Sequence, residues 1–245
     1  MARRLLEIAS NSVASALAAQ QGGADRIELF DNLAEGGTTP SHGSIAVARE
    51  QLRIPLFVLI RPRPGDFHYG ALDAEIMLRD IAHCRALGCD GVVIGALDAE
   101  GDIDEALCRA LVQAAGPLQV TFHRAFDAAR DLPRALEQVI ALGCQRVLTS
   151  GGQANAEAGA AVLAALVAQA NGRIGVMAGA GLNAGNIAAV AARSGCTELH
   201  ASAKAVQRSA MRHHNPALTG LSPDWIATDA AEVAALRAAL DARAG

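Results

Sequence analysis

Aromatic side chains are scarce in this chain: five Phe, one Tyr and one Trp among 245 residues. With a formal net charge of −4, it has neither the basic field nor the stacking surface that nucleic-acid binders use, so nucleic acid is excluded as an expected partner. Cysteine is limited to five residues. The opening Arg3-Arg4-Leu5-Leu6-Glu7 reaches a carboxylate after two leucines and so lacks the apolar stretch of an export signal. An odd cysteine number without such a signal argues against a disulfide framework, and a cytoplasmic location is expected. One uncharged span, residues 174–192, is long enough to cross a bilayer. Its glycines (Gly179, Gly181, Gly185) and Asn183 instead predict a strand, a turn and a new helix that Asn183 opens, so no membrane segment is expected. Low-complexity linkers and long charge runs are also missing, which leaves one domain over residues 1–245.

What is present is a rhythm. Apolar runs of strand length recur at residues 3–9, 26–30, 55–61, 91–97, 118–124, 146–150, 174–179 and 198–203, each followed by a turn and a helix-period segment. Near-continuous apolar strands are what a parallel sheet covered by helices requires. Between them, Leu132, Ala135, Leu136, Val139 and Ile140 form a stripe of helical period, with Asp131 as cap, Pro133 in the first turn and Gly143 as the stop. The last helix opens at Asp229, with Glu232 completing a capping box. Eight such units predict an α/β fold, a single (β/α)8 TIM barrel.

An internal repeat assigns the faces of the strands. Gly23-Ala24-Asp25-Arg26-Ile27, Gly88-Cys89-Asp90-Gly91-Val92, Gly143-Cys144-Gln145-Arg146-Val147 and Gly195-Cys196-Thr197-Glu198-Leu199 lead into the second, fourth, sixth and eighth strands. The fourth and sixth residues after each glycine are mostly apolar and suit the helix-facing side. The fifth must then face the barrel interior, because side chains alternate along a strand. Those interior positions are Glu28, Val93, Leu148 and His200, one layer contributed by alternate strands. Cys89, Cys144 and Cys196 fall just before a strand, on the opposite end of the barrel from any site, and with Cys84 and Cys108 they read as small buried apolar residues.

In this fold chemistry gathers at the C-terminal ends of the strands. Five residues meet that condition with inward parity: Glu7 on the first strand, Glu28, Arg61, His123 and His200. Two carboxylates so close would raise each other's pKa. The set suits a general base (Glu7 or Glu28), an imidazole acid partner (His123 or His200) and Arg61 as an anion or oxyanion clamp. A buried ion-pair plug is the competing reading, and Arg26, Arg146 and Glu198 are expected to form one deeper in the barrel. Donor-rich strand ends supply further ligand-binding candidates: Thr149, Ser150 and Gly151, then Gly179 and Gly181, then Ser202. Arg63 and Arg124 are the loop candidates for anion contact. The adjacent His213 and His214, without a nearby carboxylate or thiol, read as a solvated loop.

Several ordered blocks bear a resemblance to a known family. Gly22-Gly23-Ala24-Asp25-Arg26-Ile27-Glu28-Leu29, Glu35-Gly36-Gly37-Thr38-Thr39-Pro40-Ser41, Ile60-Arg61-Pro62-Arg63, Thr121-Phe122-His123-Arg124-Ala125-Phe126-Asp127, Leu148-Thr149-Ser150-Gly151-Gly152 and Met177-Ala178-Gly179-Ala180-Gly181 are similar to the bacterial CutC proteins, as are Met211-Arg212 and Asn215. The resemblance implies a TIM barrel, a cytoplasmic homo-oligomer and a role in copper homeostasis or copper binding. Members proposed to bind copper use cysteines at positions where this chain has Ala9 and Phe30. Thiolates are the preferred Cu(I) ligands, and His123, Met177 and His200 remain as candidate metal residues. Two readings therefore stand: a CutC-type protein linked to copper, and an isomerase, lyase or hydrolase acting on a small anionic carbonyl or sugar compound, phosphorylated or not.

Overall fold

A computed structural model describes residues 3–242. Eight strands, β1 (Leu5–Ser10), β2 (Arg26–Leu29), β3 (Leu56–Leu59), β4 (Gly91–Ile94), β5 (Gln119–Phe122), β6 (Arg146–Thr149), β7 (Gly175–Gly179) and β8 (Glu198–Ala201), pair in sequence order. β1 closes the ring on β8, all neighbours running parallel. The ring is wrapped by α1 (Val13–Gln21), α2 (His42–Gln51), α3 (Ala71–Ala86), α4 (Glu105–Ala115), α5 (Leu132–Ala141), α6 (Ala160–Ala170), α7 (Ile187–Ser194) and α8 (Ala230–Asp241). The fold is the expected (β/α)8 barrel. No helix among the described residues is long and apolar enough to cross a membrane.

Local signals place the helices. Asp131 accepts from Arg134 N at 3.0 Å at the head of α5, with Pro133 in its first turn and Gly143 at φ 85° beyond its end. Asp229 caps α8 through Ala231 N and Glu232 N. The expected helix opening at Asn183 is corrected: α7 begins at Ile187, and Asn183 instead forms a turn, its side chain accepting from Gly185 N and its carbonyl from Asn186 N and Ile187 N.

All the barrel strands but β1 and β7 stop one to three residues before the apolar runs do, because those runs continue into the βα loops that form the barrel mouth. One element escaped the sequence reading. After β8 the chain turns into β9 (Lys204–Gln207), which pairs antiparallel with β10 (Trp225–Thr228) as a separate two-stranded arm. The loop between them carries His213 and His214, both exposed.

Strand phase divides the core in two. Ile27, Leu29, Val58, Ile60, Val92 and Ile94 pack outward with the helices, whereas Phe30, Phe57, Leu59 and Val93 form a separate cluster inside the ring. Such alternation is the direct consequence of two residues per pleat. Below that cluster the barrel is plugged by charge: Arg26 binds Glu7 and, at 2.6 Å, Glu198, which also accepts from Arg146 at 3.2 Å. Both guanidiniums pack on Phe57, its ring centroid 5.0 Å from Arg26 and 4.9 Å from Arg146. A Cβ on Gly91 would come within 2.2 Å of the Phe57 ring, so only glycine leaves room for that ring inside the barrel.

Candidate functional site

At the C-terminal end of the ring a cavity of about 430 Å³ opens between the βα loops, with Glu28, Arg61, His123 and His200 all in its wall. Glu7 is one level lower, fully buried, and does not line it. It sits in register with Arg26 and with His200 on its two neighbouring strands. His200 bridges the two carboxylates, with Nδ1 2.8 Å from Glu7 Oε1 and Nε2 3.4 Å from Glu28 Oε2.

The two glutamates do not titrate alike, which corrects the expectation that each raises the other. Burial alone would lift the Glu7 carboxyl, but Arg26 and His200 overcome it and hold Glu7 at about 2. Burial likewise pushes Glu28 up, His200 offsets only part of this, Glu7 adds to it, and Glu28 stands at about 7. His200 is raised despite its burial, because it hydrogen-bonds to Glu7 and feels both carboxylates. The pair is thus a fixed anion and a carboxyl poised to exchange a proton near neutrality.

Across the ring His123 has the opposite character. Burial and then the Arg61 charge depress it to about 3, so its imidazole is neutral. Its Nδ1 accepts from Ala125 N at 3.1 Å, which puts the ring proton on Nε2. That Nε2 is buried with no hydrogen-bond partner among the described residues. An unmet buried N–H on a residue that lines a cavity is a donor without its acceptor. Gly95 makes the placement possible: a Cβ there would lie 2.5 Å from the imidazole.

Arg61 is only partly free. Its guanidinium donates to Glu35 O (3.0 Å), Gly37 O (2.6 Å) and Gly65 O (2.7 Å), tying together the loops after β2 and β3, and stacks on Phe67 at 5.2 Å. Its Nε is buried without a partner among the described residues. Arg61 therefore builds the rim first and contributes charge second.

Several ligand-binding candidates are placed elsewhere. Thr149, Ser150 and Gly151 do not line the cavity. The Asp127 carboxylate has taken their donors: it accepts from the Thr149 hydroxyl, from Ser150 N and Oγ at 3.0 Å, and from Gly152 N at 3.0 Å. Gly151 N turns to Thr149 Oγ1 at 2.9 Å. The anion expected there is supplied by the chain itself. Arg63 is also outside, held by Asp66 (2.9 Å), Asp73 (3.3 Å) and the carbonyl of His68 (2.6 Å). Gly179 serves packing, since a Cβ would strike Leu148 at 2.5 Å. Gly181, Ser202 and Arg124 do reach the cavity wall. Arg124 is anchored by Asp127 at 2.7 Å and Ser150 Oγ at 3.0 Å. Sequence reasoning did not assign Phe30, Leu33, Leu59, Phe67 or Lys204 to the cavity, which they line. The inward parity of Leu59 and the position of Lys204 just past a strand end were the available signals.

The fold and its cavity define a (β/α)8 barrel with a polar site at the strand C-termini, the usual position for a ligand or catalytic site in this architecture. The CutC family pattern matches residues 4–205. A CutC family protein of Chromobacterium violaceum is 54% identical over 97% of this chain and 98% of its own length. One from Xanthomonas axonopodis pv. citri is 56% identical over 93% of this chain and 95% of its own. The chain belongs to the CutC family. A crystal structure of the CutC protein from Streptococcus agalactiae, provisionally assigned to copper homeostasis, superposes with TM-score 0.78 at 34% identity, covering 81% of this chain and 98% of that one.

The donor set does not fit Cu(I). Both His200 nitrogens face carboxylates, and the Met177 sulfur accepts from Arg26 at 3.3 Å. All five cysteines are free and buried, and none lines the cavity. The grouped ligand atoms of Glu7, Glu28 and His200 lie within 4.8 Å of one another, but they are mostly hard oxygens, one of them already paired with Arg26. Anaerobic Cu(I) titration is therefore expected to show no stoichiometric sub-micromolar binding. Tight binding lost in His123→Ala or Met177→Ala would overturn that assessment.

Proposed function

We propose that the cavity is an active site for moving a proton on the carbon next to a carbonyl in a small anionic compound. The observation that carries this reading is a buried carboxyl with its pKa at about 7, Glu28, lining one cavity with His123, a neutral imidazole whose buried Nε2–H is unmet. In the reaction the substrate C–H bond breaks, its proton passes to a Glu28 oxygen, and the electron pair moves onto the carbonyl oxygen. His123 donates to that oxygen as charge develops, which is where a preorganised donor stabilises most. His200, held by Glu7 through Nδ1, presents Nε2 to Glu28 and balances the Glu28 charge while that carboxyl is ionised. Return of the proton from Glu28 to the enolate oxygen gives the enol, and return to the carbon gives back the carbonyl compound with its hydrogen exchanged, in either case without any redox partner.

The matching experiment is solvent deuterium exchange into a panel of small anionic carbonyl compounds, followed by NMR. Exchange above the buffer rate is expected, rising with pH through about 7 as Glu28 ionises. It should vanish in Glu28→Gln and fall about 10²- to 10³-fold in His123→Ala. A panel in which no compound exchanges faster than in buffer, or a Glu28→Gln variant as fast as the parent, overturns the proposal.

A further inference from the structure

The walls of the cavity are divided by chemistry. Phe30 and Leu33 follow β2, Leu59 ends β3 and Phe67 lies in the loop beyond it, and together they make one apolar side. Two of the chain's seven aromatic residues are thus spent on this small surface. It is a built surface: Gly37 takes φ 95°, and a Cβ there would press on Leu59 at 2.8 Å and Phe30 at 3.2 Å. The packing of the wall depends on that bare backbone.

On the β5 and β8 sides the same cavity is lined by Arg124, Ser202 and Lys204. With Arg61 this gives three cationic side chains around a single lining carboxylate, Glu28, in a protein of net charge −4. Lys204 is the only lysine in the sequence; every other basic side chain apart from histidine is arginine. Lys204 brings a flexible point charge with three donors to the β8 side of the cavity, and Arg124, its fork already braced by Asp127 and Ser150, borders it from the β5 side.

A sugar carries hydroxyls on all sides and would leave them unpaired against Phe30, Leu33, Leu59 and Phe67, at a cost for each. A compound with a flat apolar body and one anionic end meets both walls. We infer that the ligand of this cavity is an anionic carbonyl compound with an apolar, preferably aromatic, body, which lies against Phe30, Leu59 and Phe67 while its anionic group is held by Arg124 and Lys204. The inference rests on the proposed function for which compound is transformed, but it concerns recognition and can be tested without turnover.

Isothermal titration of the full chain with phenylpyruvate, pyruvate and glucose 6-phosphate makes the test. Phenylpyruvate is expected to bind at least tenfold more tightly than either of the others. Lys204→Met and Arg124→Gln should each weaken it at least fivefold, and Phe30→Ser should cut the preference over pyruvate to less than threefold. Glucose 6-phosphate binding as tightly as phenylpyruvate, no binding of phenylpyruvate, or unchanged affinity in both Lys204→Met and Arg124→Gln would overturn the inference. Phenylpyruvate that binds as described but exchanges no deuterium removes the proton-transfer reading and leaves the ligand class standing. Exchange in glucose 6-phosphate alone does the reverse.

Discussion

Replacing Glu28 by glutamine is expected to make the protein more stable at pH 8 while removing its proton-transfer activity. Folding carries this carboxyl from an ordinary value of 4.5 to about 7, mainly through burial. Between those two pH values the folded chain holds a proton that the unfolded chain has released, so stability falls as pH rises across the window and stays low above it. At about 1.4 kcal/mol per pH unit the penalty reaches up to about 3 kcal/mol at pH 8. An amide of the same shape carries no such penalty. For a chain of this size the gain corresponds to a melting temperature higher by about 5 to 10 °C at pH 8, with little difference at pH 4.5. Calorimetric unfolding of both proteins at the two pH values checks it. Loss of activity together with a gain in stability marks a residue kept for chemistry at a cost to the fold. The contrary result, a Glu28→Gln variant that melts lower at pH 8 and still exchanges deuterium, would mark Glu28 as part of the plug that Arg26, Arg146 and Glu198 form below it.

The barrel was legible because its signal is periodic and local. Four repeats fixed which side of each strand faces inward, and the separation of Phe30, Phe57, Leu59 and Val93 from the helix-facing residues follows that phase. The height of a residue within the barrel was harder to read. Glu7 has the inward parity of Glu28 and His200, yet its strand is staggered so that it pairs in register with Arg26 and drops beneath the cavity. Parity gives the face; only the stagger between strands gives the depth. The donors at Thr149 and Ser150 illustrate a second limit. They looked ready for an external anion, but the anion is Asp127, more than 20 positions earlier in the chain. Arg63 was lost to the site in the same way, through Asp66 and Asp73. Sequence shows which groups can bind; competition among partners brought together by the fold decides which stay free. The arm of β9 and β10 went unseen because its two strands lie 17 residues apart and lack the strand–turn–helix rhythm that marks the barrel strands.

Glu7→Gln is expected to act in the opposite direction from Glu28→Gln, although the two carboxylates share His200. Glu7 is fully buried and bound by the Arg26 guanidinium and by His200 Nδ1. Removing its charge leaves Arg26 with Glu198 alone and strips His200 of the partner that holds its proton. Breaking one side of a buried pair typically costs about 3 to 5 kcal/mol, because the remaining charge stays out of water. A melting temperature lower by roughly 10 °C at pH 7 is expected. The pH dependence carries the sign. With its pKa at about 2 instead of 4.5, Glu7 contributes stability that is fully present above pH 4.5 and is lost as pH falls towards 2. The parent protein should therefore lose stability through that acid window, and the glutamine variant, already lacking the contribution, should show a flatter curve that meets the parent's near pH 2. Should Glu7→Gln melt at the parent's temperature at pH 7, the Arg26–Glu7–His200 chain would not be what holds His200 in place, and the poised state of Glu28 would lose its physical basis.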